Sequence, residues 1–438
     1  MPIRDPLPIE PVEVPFDVVV ALPGSKSITN RALVCAALAD GTSVLTNALH
    51  ADDTEAMVEG LLALGAGIDA DWPRGRLVVN GTAGRPVSDA AIVDARLSGT
   101  TSRFLLPMAG LGDGLRRVDA ASRMRERPMA DVLEAVRSLG AAVQHVGAPG
   151  HLPVEVLGGT LVGGEVAVRG DVSSQFISGL LLSGPAMRSG LLIRLVGELV
   201  SQPYVRLTEQ VMADFGVTVT RPDDRTWVVE PQAYRAGEHH IEPDASTASY
   251  AFAAATLLDS AVTVTGLGTD ARQGDLAFVD VLAQMGAEVT RGAASTTVRG
   301  SGTLRGVDVD MAHISDTAQT LAVVAAFADG PTHVTGIGFI RGKETDRIRA
   351  VVAELRRVGV EATEEQDGFT VHPGRVNPAT VHTYSDHRMA MAFAVAGLRA
   401  PGIQIADPGC VAKTFPGFWH LLDGLRDPTS GGTMVHRS

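Results

Sequence analysis

The chain has 438 residues, 45% hydrophobic and 20% charged, which is too long for one ordinary core and too apolar for disorder, so two or more domains are expected. Lys and Arg number 37 against 50 Asp and Glu, a net charge of −13, and aromatics are 4%; both argue against nucleic acid or an acidic membrane surface as a partner. Cys35 and Cys410 lie far apart, the first twenty residues carry Asp5, Glu10, Glu13 and Asp17, and no apolar run approaches the roughly 20 residues that span a bilayer, so a cytoplasmic protein with reduced thiols is expected.

In chain order, the first element is the apolar strand "FDVVVAL", Phe16 to Leu22, followed by "SKSITNRALVCAALAD" from Ser25. The latter has a polar first turn and then nearly continuous apolarity, the mark of a buried helix. "GTSVLTNALHADDTEAMVEGLLALGAGI" from Gly41 adds an alternating strand, a polar loop, a helix with apolar residues at i, i+3, i+4 and i+7, and a glycine stop. This pair then recurs. Buried helices are predicted in "SGTTSRFLLPMAGL" from Ser98, "SSQFISGLLLSGPAM" from Ser173, "DASTASYAFAAATLLDS" from Asp244, "DTAQTLAVVAAFADG" from Asp316 and "DHRMAMAFAVAGLRAPG" from Asp386. Each precedes a strand and an amphipathic helix, the last in the truncated "GIQIADPGCVAKTFPGFWHLLDGL" from Gly402. The unit is strand, buried helix, strand, amphipathic helix, strand, with a period of roughly 70 residues, longer than common solenoid repeats. Six units suit two three-fold α/β domains, residues 20–240 and residues 1–19 plus 241–438, with the leading strand starting in the second domain and crossing over.

Polar residues gather at the entrances of the buried helices: Lys26, Ser27 and Arg31; Gly99, Thr100 and Arg103; Ser173, Ser174 and Gln175; then Asp244, Ser246, Asp316, His387 and Arg388. Loops add Arg123, Arg125 and Arg127, then Lys343, Glu344 and Arg347, and Lys413. A cation at a helix N-terminus opposes the macrodipole unless an anion sits there, and free N–H groups beside guanidiniums and hydroxyls suit phosphates and carboxylates. Glu344 and Asp316 stand out as carboxylates in a cationic setting; a salt bridge and proton transfer both remain open for Glu344. No phosphate-loop or dinucleotide fingerprint occurs, "GLGTDARQG" and "GIGFIRGKE" read as turns, and His239–His240 reads as an exposed loop rather than a metal site.

The motifs "LPGSKSITNRAL", "RMRERP", "SSQFISGLLL", "GKETDR", "YSDHRMAM" and "AKTFP", in order over about residues 15 to 425, resemble those of the 5-enolpyruvylshikimate-3-phosphate synthase family. The resemblance implies a two-domain inside-out α/β barrel of six βαβαββ repeats, three per domain, with substrates in an interdomain cleft. It implies transfer of the enolpyruvyl group of phosphoenolpyruvate to the 5-hydroxyl of shikimate 3-phosphate, with release of phosphate, in the shikimate pathway. No metal or organic cofactor and a monomeric state are the corresponding expectations. By matching positions, Lys26, Ser27, Arg31, Ser173, Ser174, Gln175, Ser201, Asp316 and Lys343 look like shikimate 3-phosphate ligands. Lys26, Gly99, Thr100, Arg127, Gln175, Arg347, Arg388 and Lys413 look like the phosphoenolpyruvate site, and Lys26, Asp316 and Glu344 like the proton-transfer groups.

Some positions depart from the family pattern. Leu97 stands where many members have Asn, Phe104 where they have Pro, and Phe339–Ile340 where Asn-Trp is common, so Ser98 becomes a candidate for a lost contact. Competing readings are a sister enolpyruvyl transferase acting on a nucleotide sugar or another phosphorylated acceptor, an RNA-end-processing enzyme on similar repeats, and a non-catalytic phosphometabolite binder. The first usually carries a reactive Cys or Asp in the loop that here reads "ASRMRERP", and the second needs a basic track.

Overall fold

The structure is a computed structural model that describes residues 3–86, 88, 90–427 and 434–437. Its helices are α1 (Lys26–Leu38), α2 (Asp52–Ala63), α3 (Gly99–Ala109), the short α4 (Ser122–Arg125), α5 (Ala130–Ser138), α6 (Ser174–Ser183) and α7 (Gln202–Asp214). They continue as α8 (Ala245–Leu257), α9 (Phe278–Met285), α10 (Ala318–Ala325), α11 (Arg347–Arg357), α12 (His387–Arg399) and α13 (Phe418–Arg426). The chain divides into two units, Gly24–Ile241, and Met1–Pro23 with Glu242–Ser438, so it passes between them twice.

In the Gly24–Ile241 unit, α1, α3 and α6 form the interior. Every residue of α3 is buried, as is every residue of α1 from Ile28 onward. These helices approach closely: a Cβ on Gly179 of α6 would lie 2.3 Å from the Arg103 carbonyl oxygen of α3, a separation that only glycine permits. Three four-stranded sheets surround them. In one, Ala91–Asp94 runs parallel to Leu115–Asp119, which pairs antiparallel with Val154–Leu157, itself antiparallel to Ala142–His145. The Gly164–Arg169 sheet repeats this order. A parallel strand pair needs a crossover, and the buried helix supplies it; the hairpin follows the amphipathic helix. Helices inside and sheets outside is the inside-out arrangement.

The other unit repeats the plan with α8, α10 and α12 inside. All of α8, "ASTASYAFAAATL", is buried, whereas α11 turns Ile348, Val351, Val352 and Leu355 inward and leaves Arg349, Arg356 and Arg357 on its outer face. Two of its sheets draw on distant sequence. Asp17–Val20 lies parallel to Ala261–Thr265, while Glu238–His240 lies parallel to Thr42–Thr46 in the first unit. The strand preceding α1 in sequence thus serves the α8 repeat, and the one preceding α8 serves the α1 repeat. The truncated sixth repeat is completed by the N-terminal Leu7–Pro8, antiparallel to Ile403–Ile405. His239 and His240 belong to a strand, not to an exposed loop: the His239 ring stacks on Phe215 at 3.7 Å and His240 meets the Thr46 hydroxyl at 3.1 Å. Gly266 and Gly336, at φ 79° and 76°, form the turns expected of the two Gly-x-Gly stretches.

Candidate active site

In the first unit three serines open the buried helices. Ser25, Ser98 and Ser173 accept from the N–H groups of Ile28, Thr101 and Gln175 at 3.4, 3.2 and 3.3 Å. Ser98 is 1% exposed and also accepts from the Thr101 hydroxyl at 2.9 Å, so it serves the helix start. Leu97 itself is 45% exposed.

Past the caps, one cluster joins α3, α6 and the segment after α4. Arg103 donates to the Gln175 side-chain oxygen at 2.9 Å, and the Gln175 amide donates to Thr100 at 3.3 Å. A Cβ built on Gly99 would stand 2.5 Å from Nη1 of Arg103 and 3.0 Å from Nη1 of Arg127, which places both guanidiniums on the Gly99 backbone. Arg123 and Arg125 pair with Glu126 and Asp119 near the surface. Asp171 likewise pairs with Arg169 of its own strand at 2.9 Å.

A second cluster surrounds Arg31. Its Nε donates to Thr208 at 2.8 Å, Nη1 to the Ser27 carbonyl at 2.8 Å, and Nη2 to the Tyr204 carbonyl at 3.0 Å and Ser178 at 3.5 Å. The Phe104 ring lies 5.1 Å from its guanidinium carbon. Burial among these neutral acceptors lowers the Arg31 pKa to about 10. Ser201, in the left-handed region at φ 52°, immediately precedes α7, whose first turn brings Tyr204 to Arg31. Lys26 pairs with Asp53 of α2 at 3.3 Å. Read in sequence, Asp53 was one of three acids in a helix first turn, indistinguishable from Asp52 and Glu55 as a macrodipole partner.

The second unit gathers its site residues on Arg347, the first residue of α11. This side chain is 2% exposed and meets three carboxylates: Asp386 at 2.8 Å, Glu344 at 2.8 Å and Asp316 at 3.2 Å. Burial alone would lower its pKa, but Asp386, Glu344 and Asp316 outweigh burial and hold it above the usual arginine value. Asp316 also accepts from Arg388 at 2.6 Å, and Glu344 lies 3.8 Å from Lys413. Asp386 caps α12 by accepting from the Arg388 N–H at 2.9 Å; "YSDHRMAM" marked it as a cap, and its long-range ion pair with Arg347 had no local signal. His387 is buried in the first turn of α12, 3.7 Å from Asp386, and Asp244 caps α8 by accepting from the Thr247 N–H at 2.8 Å. The Lys343 ammonium stands 5.8 Å from the centre of the Phe339 ring, so the residue in the Asn position of the family pattern faces a site lysine. Among the described residues, no group of three or more His, Cys, Asp or Glu is arranged to hold a metal ion, and no helix is long and apolar enough to cross a membrane.

Within each unit, then, cations cluster at helix N-termini, and in the second unit carboxylates are held among the cations. The EPSP synthase (3-phosphoshikimate 1-carboxyvinyltransferase) family model matches residues 13–422, through both units. The chain belongs to the EPSP synthase family. A 3-phosphoshikimate 1-carboxyvinyltransferase of Trichormus variabilis is 44% identical over 416 residues, 95% of this chain and 98% of the relative. One from Methanosphaerula palustris is 43% identical over 411 residues, 93% and 96% of the two chains. An EPSP synthase structure from Acinetobacter baumannii superposes with a TM-score of 0.82 at 25% identity, covering 99% of both chains. An enolpyruvyl transferase from Streptomyces tendae has the same fold, with a TM-score of 0.77 at 20% identity over 96% of this chain and 97% of that one. Family membership agrees with the six-repeat, inside-out architecture and leaves the nucleotide-sugar and RNA-end readings without support.

Proposed function

We propose that this chain transfers the enolpyruvyl group of phosphoenolpyruvate to the 5-hydroxyl of shikimate 3-phosphate, releasing phosphate, as a step of aromatic amino acid biosynthesis through chorismate. The observation that carries this reading beyond family membership is the bonding of Glu344 and Asp316 to Arg347 beside Arg388 and Lys413. A site that only binds anions is weakened by carboxylates, whereas this reaction needs them. The 5-hydroxyl oxygen attacks C2 of phosphoenolpyruvate while its proton passes to a base and C3 gains a proton, which gives a tetrahedral adduct. Loss of a C3 proton then expels phosphate and leaves the enol ether. Lys26, Asp316 and Glu344 carry these protons.

Arg127, Arg347, Arg388 and Lys413, with Lys26, Gln175 and the Gly99–Thr100 backbone, hold phosphoenolpyruvate and the departing phosphate. Ser27, Arg31, Ser173, Ser174, Gln175, Ser201 and Lys343, with Lys26 and Asp316, hold shikimate 3-phosphate. The enzyme acts as a cytoplasmic monomer on small-molecule substrates. Phosphate release measured with each substrate alone and with both tests the reading: release that requires both supports it, and binding of both without release would leave a metabolite sensor.

A further inference from the structure

Arg96 and Tyr384 occupy the same place in two different repeats. Each stands two residues before the N-cap of a buried helix, Ser98 for α3 and Asp386 for α12. Each is in the left-handed region, Arg96 at φ 48° and Tyr384 at φ 55°, and Ser385 follows Tyr384 at φ 55°. Non-glycine residues adopt this conformation at a cost and keep it where neighbouring structure enforces it.

The enforcing contact is also the same. Arg96 donates to Glu59, eight residues beyond Ala51, the N-cap of the preceding amphipathic helix α2. The Tyr384 hydroxyl donates to Glu354 at 2.7 Å, eight residues beyond Asp346, the N-cap of the preceding helix α11. Arg96 adds a bond to Glu55 at 3.1 Å. Glu354, fully buried, also accepts from the His382 N–H and from Arg357, both at 2.9 Å. Burial and the Glu354 carboxylate push the Tyr384 pKa up to about 12, which keeps its hydroxyl a donor.

The same position elsewhere behaves differently. Asp171, two residues before Ser173, pairs with its own strand, and Glu242, two before Asp244, accepts from Gln273 at 2.9 Å. The two latched turns lead into Gly99–Thr100 and, through the cap Asp386, into Arg388, which the proposed function assigns to phosphoenolpyruvate.

Resting on that assignment, we infer that Arg96 and Tyr384 are positioning residues. Their bonds to Glu59 and Glu354 hold the left-handed turns that aim the phosphoenolpyruvate-binding starts of α3 and α12. Neither touches the substrate.

Tyr384→Phe removes one hydroxyl and keeps the ring. Glycine accepts the left-handed region without strain, so Ser385→Gly lowers the need for the latch; measured alone, it sets the baseline for losing the hydroxyl that meets Asp407. Hydrogen exchange on the ligand-free protein reads the turn directly, because the Arg388 and Met389 amides bond the Asp386 carboxylate and carbonyl. Tyr384→Phe is expected to speed exchange at both amides at least tenfold, and the Tyr384→Phe/Ser385→Gly pair to recover most of that change. Unchanged exchange, or equal effects of Tyr384→Phe in both backgrounds, overturns the latch whatever the activity. In turnover assays Tyr384→Phe should raise KM for phosphoenolpyruvate five- to twentyfold, with KM for shikimate 3-phosphate and kcat within twofold. Equal rises in both KM values contradict the positioning role. A wild-type protein that releases no phosphate, together with the predicted exchange, would reject the functional assignment and keep the latch.

Discussion

Arg31, in the buried helix α1, and Arg347, at the start of the amphipathic helix α11, are both 2% exposed and differ in what neutralises them. Arg31 is met by hydroxyls, backbone carbonyls and an aromatic ring, and its pKa falls to about 10. Arg347 is met by three carboxylates, and its pKa rises above the usual value. A buried cation among neutral acceptors is poorly compensated and gains most from an arriving dianion. One already bonded to three carboxylates gains less from a further anion, and besides the phosphoenolpyruvate contact proposed for it, it fixes those carboxylates in place. The Arg31 cluster is thus suited to attract an anion, and the Arg347 cluster to hold carboxylates in place.

The sharpest break of this contrast is Glu344→Gln. Arg347 keeps Asp386 and Asp316, so the fold should survive, while kcat falls about 10²–10⁴-fold with little change in substrate affinity, the usual share of general acid–base catalysis. Steady-state kinetics beside a thermal melt check this; a near-normal kcat with a lowered Tm would make Glu344 a structural partner of Arg347. Next in size is Arg127→Ala in the first unit. It should cost roughly 2–5 kcal/mol in kcat/KM for phosphoenolpyruvate, as when one partner of a buried charged hydrogen bond is lost, with far less effect on shikimate 3-phosphate binding measured by calorimetry. Equal losses for both substrates would assign Arg127 to the other anion.

Gly99→Ala probes the same cluster more gently. The new Cβ would meet the ends of the flexible Arg103 and Arg127 side chains at 2.5 and 3.0 Å, so they move and the fold tolerates the change. A displaced Arg127 should raise KM for phosphoenolpyruvate on the order of tenfold with Tm nearly unchanged; a normal KM would show that Arg127 has another route to its ligand. The smallest effect is expected at Asp407, whose pKa is raised by burial and then by Asp5. An acid with a raised folded-state pKa weakens the fold at pH values where it is ionised, and this penalty disappears once both states are protonated. Asp407→Asn should therefore raise Tm by about 1–2 °C at pH 7, with the gain fading in acid, and asparagine also suits the φ of 49°. A gain that persists unchanged at low pH would point to the backbone rather than the charge.

The repeats were legible because each buried helix carries a polar cap ahead of an apolar run, a signal confined to a dozen consecutive residues. The same confinement explains what was missed. Asp386 appears in sequence as the cap of α12, and its bond to Arg347 spans 39 residues. Thr208 and Tyr204 sit in an amphipathic helix whose pattern speaks of packing, yet they hold Arg31 from 177 and 173 residues away. Leu7–Pro8 completes a sheet with Ile403–Ile405, and nothing within so short a strand announces it. Of the arginines in "RMRERP", Arg127 reaches the Gly99 cluster, while Arg123 and Arg125 lie on a short helix and pair with Glu126 and Asp119. Residue type and position at a helix entrance therefore pointed to chemistry, whereas charge compensation required the folded chain.

The central claim is that carboxylates of the second unit move protons at C3 of phosphoenolpyruvate while cations hold the anions. Turnover in deuterated water tests it most directly, with deuterium at the methylene group of product and of recovered phosphoenolpyruvate read by mass spectrometry. The account predicts deuterium in both for the wild-type protein, dependent on shikimate 3-phosphate and slowed by Glu344→Gln in step with turnover. Rapid formation of product with no deuterium at that carbon would contradict it, since C3 would then never have been protonated.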